Sequence, residues 1–116
     1  MISQTLAQEV SQMEADLCSA FADPTRILIL YALDEKPRNV GELATELQIP
    51  QPSVSRHLKV LRERGMVGST RYGATIEYRI VNDRPIQALD LLRSVLRDNL
   101  TRSAELVDAL NESAES

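Results

Sequence analysis

Apolar residues recur at helical spacing near both ends of the chain. The first stretch predicts a helix over residues 3–17, because its apolar side chains lie four, three and four positions apart and share one face. The second predicts a long helix over about residues 85–111, with spacings of mostly three and four. The first stripe contains Leu6, Val10, Met13 and Leu17, and the second contains Leu89, Leu92, Leu96, Leu106 and Leu110.

Between these stretches, a strong helix start precedes a run of apolar residues. Asp23 can cap a helix, and Pro24 suits the first helical position because proline lacks an amide hydrogen. Residues 26–33 are apolar on nearly every side, which predicts a central core helix. Residues 35–39 are polar and include Pro37, which predicts a loop.

Residues 41–65 predict two short helices separated by a tight turn. Leu43 and Leu47 form one apolar face, and Ile49-Pro50 interrupts it. A second apolar face follows, and Gly65 is placed to end the second helix in a left-handed conformation. The second face consists of Val54, Leu58 and Leu61. This arrangement is that of a helix-turn-helix, whose second helix enters the major groove of DNA.

A β-hairpin is predicted over residues 66–81. Residues 75–81 alternate between apolar and polar side chains, the pattern of a half-buried strand. Residues 66–70 form the partner strand, and a turn over residues 71–74 contains Gly73. The predicted fold class is therefore mainly α with a small β-hairpin, in a single domain over residues 1–116.

The terminal helices are predicted to form a dimer interface. The last helix alone is longer than a domain of this size can cover, so part of its apolar stripe needs a second copy of the chain. Residues 1–20 and 85–111 are therefore assigned to dimerisation, although a core role for the stripes is the alternative. The predicted interface residues are Leu6, Val10, Met13, Leu89, Leu92, Leu96 and Leu106.

Charge is distributed unevenly along the chain. The net charge of the whole chain is -4. Residues 50–84 contain seven bases and three acids, a local charge of +4, so the remainder carries -8. A basic patch on an acidic body still attracts phosphate within a Debye length of about 8 Å. The distribution therefore favours double-stranded DNA as a partner, bound through one face.

The second helix of the 41–65 segment presents a polar and basic side opposite its apolar face. With Val54 at the centre of the buried side, a rotation of about 100° per residue places Arg56 and Lys59 on the opposite side. Arg56 is the first choice for a DNA contact, since arginine is the commonest bidentate reader of guanine. A solvated polar face is the alternative. The candidate contacts on this helix are Gln51, Pro52, Ser53, Ser55, Arg56, Lys59 and Arg62.

Two residues at the predicted hairpin tip are further candidates for DNA contact. Arg71 could enter the minor groove, where narrow A·T tracts concentrate negative potential, and Tyr72 lies beside it. An exposed loop charge is the alternative interpretation of Arg71.

Few other residues of the sequence indicate a chemical function. Cys18 is the only cysteine, which excludes an intrachain disulfide and favours a reducing, cytoplasmic setting. It is interpreted either as a buried small hydrophobic residue or as a redox-sensing thiol. No secretory signal or membrane-spanning run is expected, and no phosphate loop, nucleophile elbow or metal-ligand cluster indicates an enzyme or a cofactor.

Several of these motifs together resemble the arsenical-resistance repressor family, ArsR/SmtB. The resemblance covers about residues 15–100. It rests on Ala22-Asp23-Pro24-Thr25-Arg26, on the run SVSRHLKVLR at residues 53–62, on Gly65-Met66-Val67 and on Tyr78-Arg79-Ile80. It implies a winged helix-turn-helix repressor that is homodimeric through its first and last helices, and in this family a bound effector usually lowers the affinity for DNA.

The resemblance also sharpens the expectations for individual residues. It suggests that His57 contacts DNA, although a half-buried packing role is the alternative. Many family members carry two basic residues at the wing tip, whereas this chain has Ala74 at the second place, which implies weaker wing binding. The metal motif ELCVCDL of the family corresponds to Glu42-Leu43-Ala44-Thr45-Glu46-Leu47, which lacks both thiols, and the last helix contains no histidine. No metal is therefore expected at these sites.

The sequence thus predicts a homodimeric, DNA-binding transcriptional repressor that acts on a palindromic operator. A winged-helix module that binds protein, and a thiol-based sensor acting through Cys18, are the alternatives. The effector could be a small molecule or a metal, and the residues do not identify it.

Overall fold

The computed structural model describes residues 1–115, which form five α-helices, one 3₁₀ helix and three short strands. The helices are α1 (Gln4–Asp16), the 3₁₀ helix (Cys18–Ala22), α2 (Pro24–Glu35), α3 (Val40–Leu47), α4 (Gln51–Glu63) and α5 (Arg84–Glu115). The strands are β1 (Arg38–Asn39), β2 (Val67–Tyr72) and β3 (Thr75–Ile80). The predicted fold class, mainly α with a small β-hairpin, is confirmed.

The three strands form one antiparallel sheet in the order β1-β3-β2. The predicted hairpin is present, but its strands reach closer to the tip than expected, since Tyr72 pairs with Thr75. Only Gly73 and Ala74 remain in the turn. Gly73 has a φ of 62°, which a two-residue turn with glycine in first place requires.

The segment predicted as a polar loop contains a strand. Arg38 pairs with Tyr78 of β3 and is itself buried. Its guanidinium lies 2.7 Å from the Glu35 carboxylate and also pairs with Glu46. A buried charge requires such partners, and they come from two different helices, so spacing along the sequence does not reveal them.

Local signals in the sequence set the helix ends. The Asp23 carboxylate accepts a hydrogen bond from the Thr25 amide at 2.8 Å and caps α2 as predicted. Asn39 and Glu42 form a reciprocal capping box at the start of α3. Gly65, with a φ of 75°, follows α4 in the left-handed region that the predicted helix end requires.

The chain divides into two compact units, Met1–Asp83 and the segment that begins at Arg84 and consists of α5. The core of the first unit is built from the 3₁₀ helix, α2, α3, α4 and the base of the hairpin. The single domain over residues 1–116 stays a prediction. The buried apolar residues of this core include Ala20, Ile29, Leu30, Leu33, Leu43, Val54, Leu58, Leu61, Met66 and Val67.

Candidate nucleic-acid interface

Helix α4 has one buried apolar side and one exposed polar side. Val54, Leu58 and Leu61 are completely buried, as the sequence predicts. The opposite side carries most of the candidate DNA contacts. Of these, the exposed residues are Gln51, Pro52, Ser55, Arg56, Lys59 and Arg62. The apolar side fixes α4 to the core, so the polar side is free for a ligand.

Ser53 differs from the other candidates because it is half-buried and already engaged. Its hydroxyl oxygen accepts a hydrogen bond from the Nη2 of Arg56 at 3.1 Å. This bond joins residues three positions apart on one helix. Ser53 therefore orients the arginine that the sequence selects as the main DNA contact.

His57 is packed against the start of α2. Its side chain is 19% exposed, its Nδ1 lies 3.4 Å from Nη1 of Arg26, and its Nε2 lies 3.9 Å from Oδ2 of Asp23. The placement agrees with the half-buried packing role, the alternative for this residue. A DNA contact by His57 stays a prediction.

The pKa of Asp23 is lowered below its ordinary value of 3.8. The main cause is the hydrogen bond from the Thr25 amide, since a bond to the charged form favours that form. Desolvation opposes this effect, whereas the charge of Arg26, and that of His57 when its ring is protonated, act in the same direction as the hydrogen bond. Asp23 therefore remains ionised at the helix start over the physiological pH range.

The hairpin, here called the wing, places its two candidate residues on opposite faces. Arg71 is paired with Ile76 and Tyr72 with Thr75, and successive residues of a strand point to opposite sides of a sheet. Arg71 therefore shares a face with Tyr78, two positions beyond Ile76 on β3. Both Arg71 and Tyr72 are exposed.

A groove of about 400 Å³ lies between α4 and the wing, and we call it the α4–wing groove. Its cations, Lys59 and Arg62, lie one helical turn apart on α4, and Tyr78 supplies the wall on the side of the wing. The lining residues are Ser55, Leu58, Lys59, Arg62, Glu63 and Tyr78. Tyr78 was not selected as a site residue from the sequence, where strand alternation marked it only as a packing residue.

The cations of this surface have no acidic partners within the described part of the chain. In residues 1–115 no carboxylate oxygen lies within 4.0 Å of the side-chain nitrogens of Lys59, Arg62 or Arg71. By contrast, Arg38 and Arg64 each pair with a carboxylate. Unpaired cations on one exposed surface are available to neutralise phosphate groups.

Exposed apolar side chains occur on α1 and, separately, on α5. Of the predicted interface residues, those on α1 and three of the four on α5 are exposed: Leu6, Val10, Met13, Leu92, Leu96 and Leu106. Leu89 is the exception, because it is 4% exposed in the single chain. Like the other residues assigned to the dimer interface, Leu89 stays a prediction in that role.

Cys18 is exposed at the start of the 3₁₀ helix. The interpretation of Cys18 as a buried small hydrophobic residue is wrong for the single chain, because Ala20 is the residue of this helix that enters the core. No group of three or more His, Cys, Asp or Glu side chains placed to hold a metal ion occurs in residues 1–115. None of the helices described has a stretch both long and apolar enough to cross a bilayer.

Comparison with known proteins identifies the family. The model of the bacterial regulatory proteins of the arsR family matches residues 23–69, which include α2, the helix-turn-helix and the first residues of the wing. The SmtB repressor of Mycobacterium tuberculosis, described as an HTH-type transcriptional repressor, is 40% identical over 75 residues, 65% of this chain. The match spans only 56% of the length of that relative.

Two further comparisons cover nearly the whole of the related protein. An HTH-type transcriptional regulator of Methanocaldococcus jannaschii is 36% identical over 85 residues, 72% of this chain and 96% of the relative. A homodimeric winged helix-turn-helix DNA-binding domain of Mycobacterium bovis, solved by NMR, superposes with a TM-score of 0.71 and 27% identity. That comparison covers 85% of this chain and 91% of the other. The chain belongs to the arsR family of bacterial regulatory proteins.

Proposed function

We propose that this protein is a homodimeric transcriptional repressor that binds a palindromic operator in double-stranded DNA. The observation that carries the proposal is the α4–wing groove, in which Lys59 and Arg62 have no acidic partner among residues 1–115. Such a protein works where the genome is, so we place it in the cytoplasm.

In this proposal α4 is the recognition helix. Its exposed side enters the major groove, with Gln51 at the first turn and Arg56 directed at base edges. Lys59 and Arg62 neutralise phosphates along the groove, and Arg71 approaches the adjacent backbone from the wing. Phosphate contacts supply affinity and register, and base contacts supply the choice of sequence.

The dimer is supported by the apolar stripes of α1 and α5 and by the homodimeric state of the Mycobacterium bovis neighbour. A two-fold dimer presents two copies of α4 with the symmetry of a palindrome, and half-sites one helical turn apart are about 34 Å apart. A dimer bound across a promoter occludes RNA polymerase, which is the simplest route to repression.

The salt dependence of DNA binding tests the proposal. Lys59, Arg62 and Arg71 give six phosphate contacts per dimer, and about 0.9 counterions are released per contact. A plot of log affinity against log salt should therefore have a slope of about -5, measured by fluorescence anisotropy with a labelled duplex from upstream of its own gene. A slope near zero would contradict the proposal.

A double variant separates DNA reading from the alternative of a protein-binding winged helix. Arg56→Ala with Lys59→Ala removes two exposed cations of α4 without touching its buried side. We expect loss of operator binding, whereas the control Arg97→Gln, which removes a cation from α5, should bind as the wild type does. If the double variant bound the duplex unchanged, α4 would not be the DNA-reading element.

A further inference from the structure

One guanidinium connects three elements around the start of α2. The Nε of Arg26 donates to the carbonyl oxygen of Ala20 at 2.8 Å, and its Nη2 donates to that of Ser19 at 3.1 Å. Its Nη1 lies 3.4 Å from Nδ1 of His57 on α4. Arg26 thus joins the 3₁₀ helix, α2 and α4 through one rigid, planar group.

The chemistry of these partners determines which ring nitrogen of His57 carries the proton. Arginine has five donors and no acceptor, so Nδ1 of His57 must be the acceptor in this contact. The ring proton then lies on Nε2, which faces Oδ2 of Asp23 at 3.9 Å. The carboxylate of Asp23 is held in turn by the Thr25 amide.

We infer that Arg26 is a positioning residue for DNA recognition and that His57 is the group on α4 through which it acts. This inference rests on the proposed function of α4 as the recognition helix. It replaces a direct role of His57 on DNA, because one ring nitrogen faces Arg26 of α2, the other faces the capping residue Asp23, and the side chain is largely covered.

The contact matters because it adds a directional restraint to the attachment of α4. Val54, Leu58 and Leu61 hold the helix by apolar burial, which opposes large rotations but is less directional than a hydrogen bond. A hydrogen bond to a fixed guanidinium restrains rotation of α4 about its axis. His57 is adjacent to Arg56, so any rotation that moves the imidazole also moves the proposed reading side chain.

A second connection, at the end of α4, is weaker because it is more exposed to solvent. Arg64 lies 3.4 Å from Asp16 of α1, but both side chains are more than a third exposed. Exposed ion pairs contribute little, whereas the Arg26 contacts are part-buried. The inference therefore rests on Arg26 rather than on Arg64.

The tautomer can be tested without DNA, because His57 is the only histidine of the chain. In ¹⁵N-labelled protein without a histidine tag, the ring gives one pair of nitrogen signals. At pH 8 we expect the pattern of a proton on Nε2 with an unprotonated Nδ1, and a change in this pattern in Arg26→Gln. A proton on Nδ1 in the wild type would overturn the inference.

Two substitutions of His57 distinguish positioning from direct contact. Asparagine places an acceptor near the position of Nδ1, whereas glutamine extends to the position of Nε2. The probe is a 30-base-pair duplex that the wild-type chain selects from a random pool. We expect His57→Asn to bind within about twofold of the wild type, and His57→Gln and Arg26→Gln to bind about tenfold more weakly.

Controls separate the possible failures. Arg97→Gln removes the same charge as Arg26→Gln and should bind the duplex as the wild type does, and urea unfolding verifies that each variant is folded. If the wild type selects no duplex, the proposed function fails. If it does and the three variants bind equally, or if His57→Gln binds better than His57→Asn, the positioning role alone is overturned.

Discussion

Replacing Leu96 with alanine should weaken the proposed dimer without unfolding the chain. Leu96 is 57% exposed on α5, and it shares an exposed stripe with Leu92, Leu106 and Leu110. α5 has 32 residues, about 48 Å at 1.5 Å per residue, and this stripe continues almost to its end. The Leu96 side chain is mostly exposed in the single chain. A second copy that buries it gains free energy of association, and alanine would remove most of that gain.

The size of the effect follows from that exposed fraction. Leucine to alanine removes three carbon groups, worth about 0.8 kcal/mol each when fully buried. The exposed share is a little over half, which leaves about 1.4 kcal/mol per protomer to be gained in the dimer. Two copies contribute about 2.8 kcal/mol, which raises the dimer dissociation constant about 100-fold.

Sedimentation equilibrium over a range of protein concentrations measures this constant directly. Thr101→Ala is the matched control, because Thr101 lies nine positions after Leu92 and therefore on the opposite side of α5. Leu89→Ala provides a contrast. Leu89 is buried in the single chain, so alanine there should lower the free energy of unfolding by about 2–5 kcal/mol.

A Leu96→Ala protein with the dissociation constant of the wild type would contradict this prediction. A Thr101→Ala protein whose dimer is weakened as much as that of Leu96→Ala would contradict it as well. Either result would show that the stripe of α5 is not the surface that the second copy covers.

Three further predictions concern stability, measured by urea unfolding. Gly68→Ala should destabilise the wing by about 1–3 kcal/mol, because a Cβ there would lie 2.8 Å from Cγ1 of Val81; a stability equal to that of the wild type would contradict this close approach. Leu58→Ala should cost about 2–5 kcal/mol, since this side chain is fully buried; a loss below 1 kcal/mol would place it outside the core. Asp23→Asn should keep the helix cap at neutral pH, because asparagine can also cap a helix. The wild type should lose stability as the pH falls below 3.8 and through the lowered folded-state pKa of Asp23, because the carboxylate then becomes protonated. The variant lacks this carboxylate and should lose less stability over that range; parallel pH profiles for the two proteins would refute this.

Much of the fold could be predicted because its signals are local. The Asp23 cap, the break at Ile49-Pro50 and the left-handed Gly65 each act within one turn of backbone, and each lies at the predicted boundary. The apolar side of α4 follows from helical spacing alone, and Val54 and Leu58 are fully buried as expected. Periodicity is sufficient where one element has one buried side.

The candidate site could be predicted only in part. Spacing on α4 identified Arg56 and Lys59 as exposed, and they are. Spacing could not separate the roles of neighbouring polar residues. Ser53 accepts a hydrogen bond from Arg56. The face that Arg71 shares with Tyr78 depends on the strand register, and a one-residue difference in turn length would move Arg71 to the other face.

The order of the helices, the hairpin and the polar side of α4 follow from the sequence, because hydrophobic period and capping chemistry act over a few residues. The burial of Arg38 between two carboxylates and the contact of His57 with Arg26 become visible only in the folded chain. The exposed fractions of Leu89 (4%) and Leu96 (57%) likewise differ although helical spacing places both on one stripe. These outcomes depend on contacts between groups far apart in the chain, and only the folded backbone brings such groups within reach.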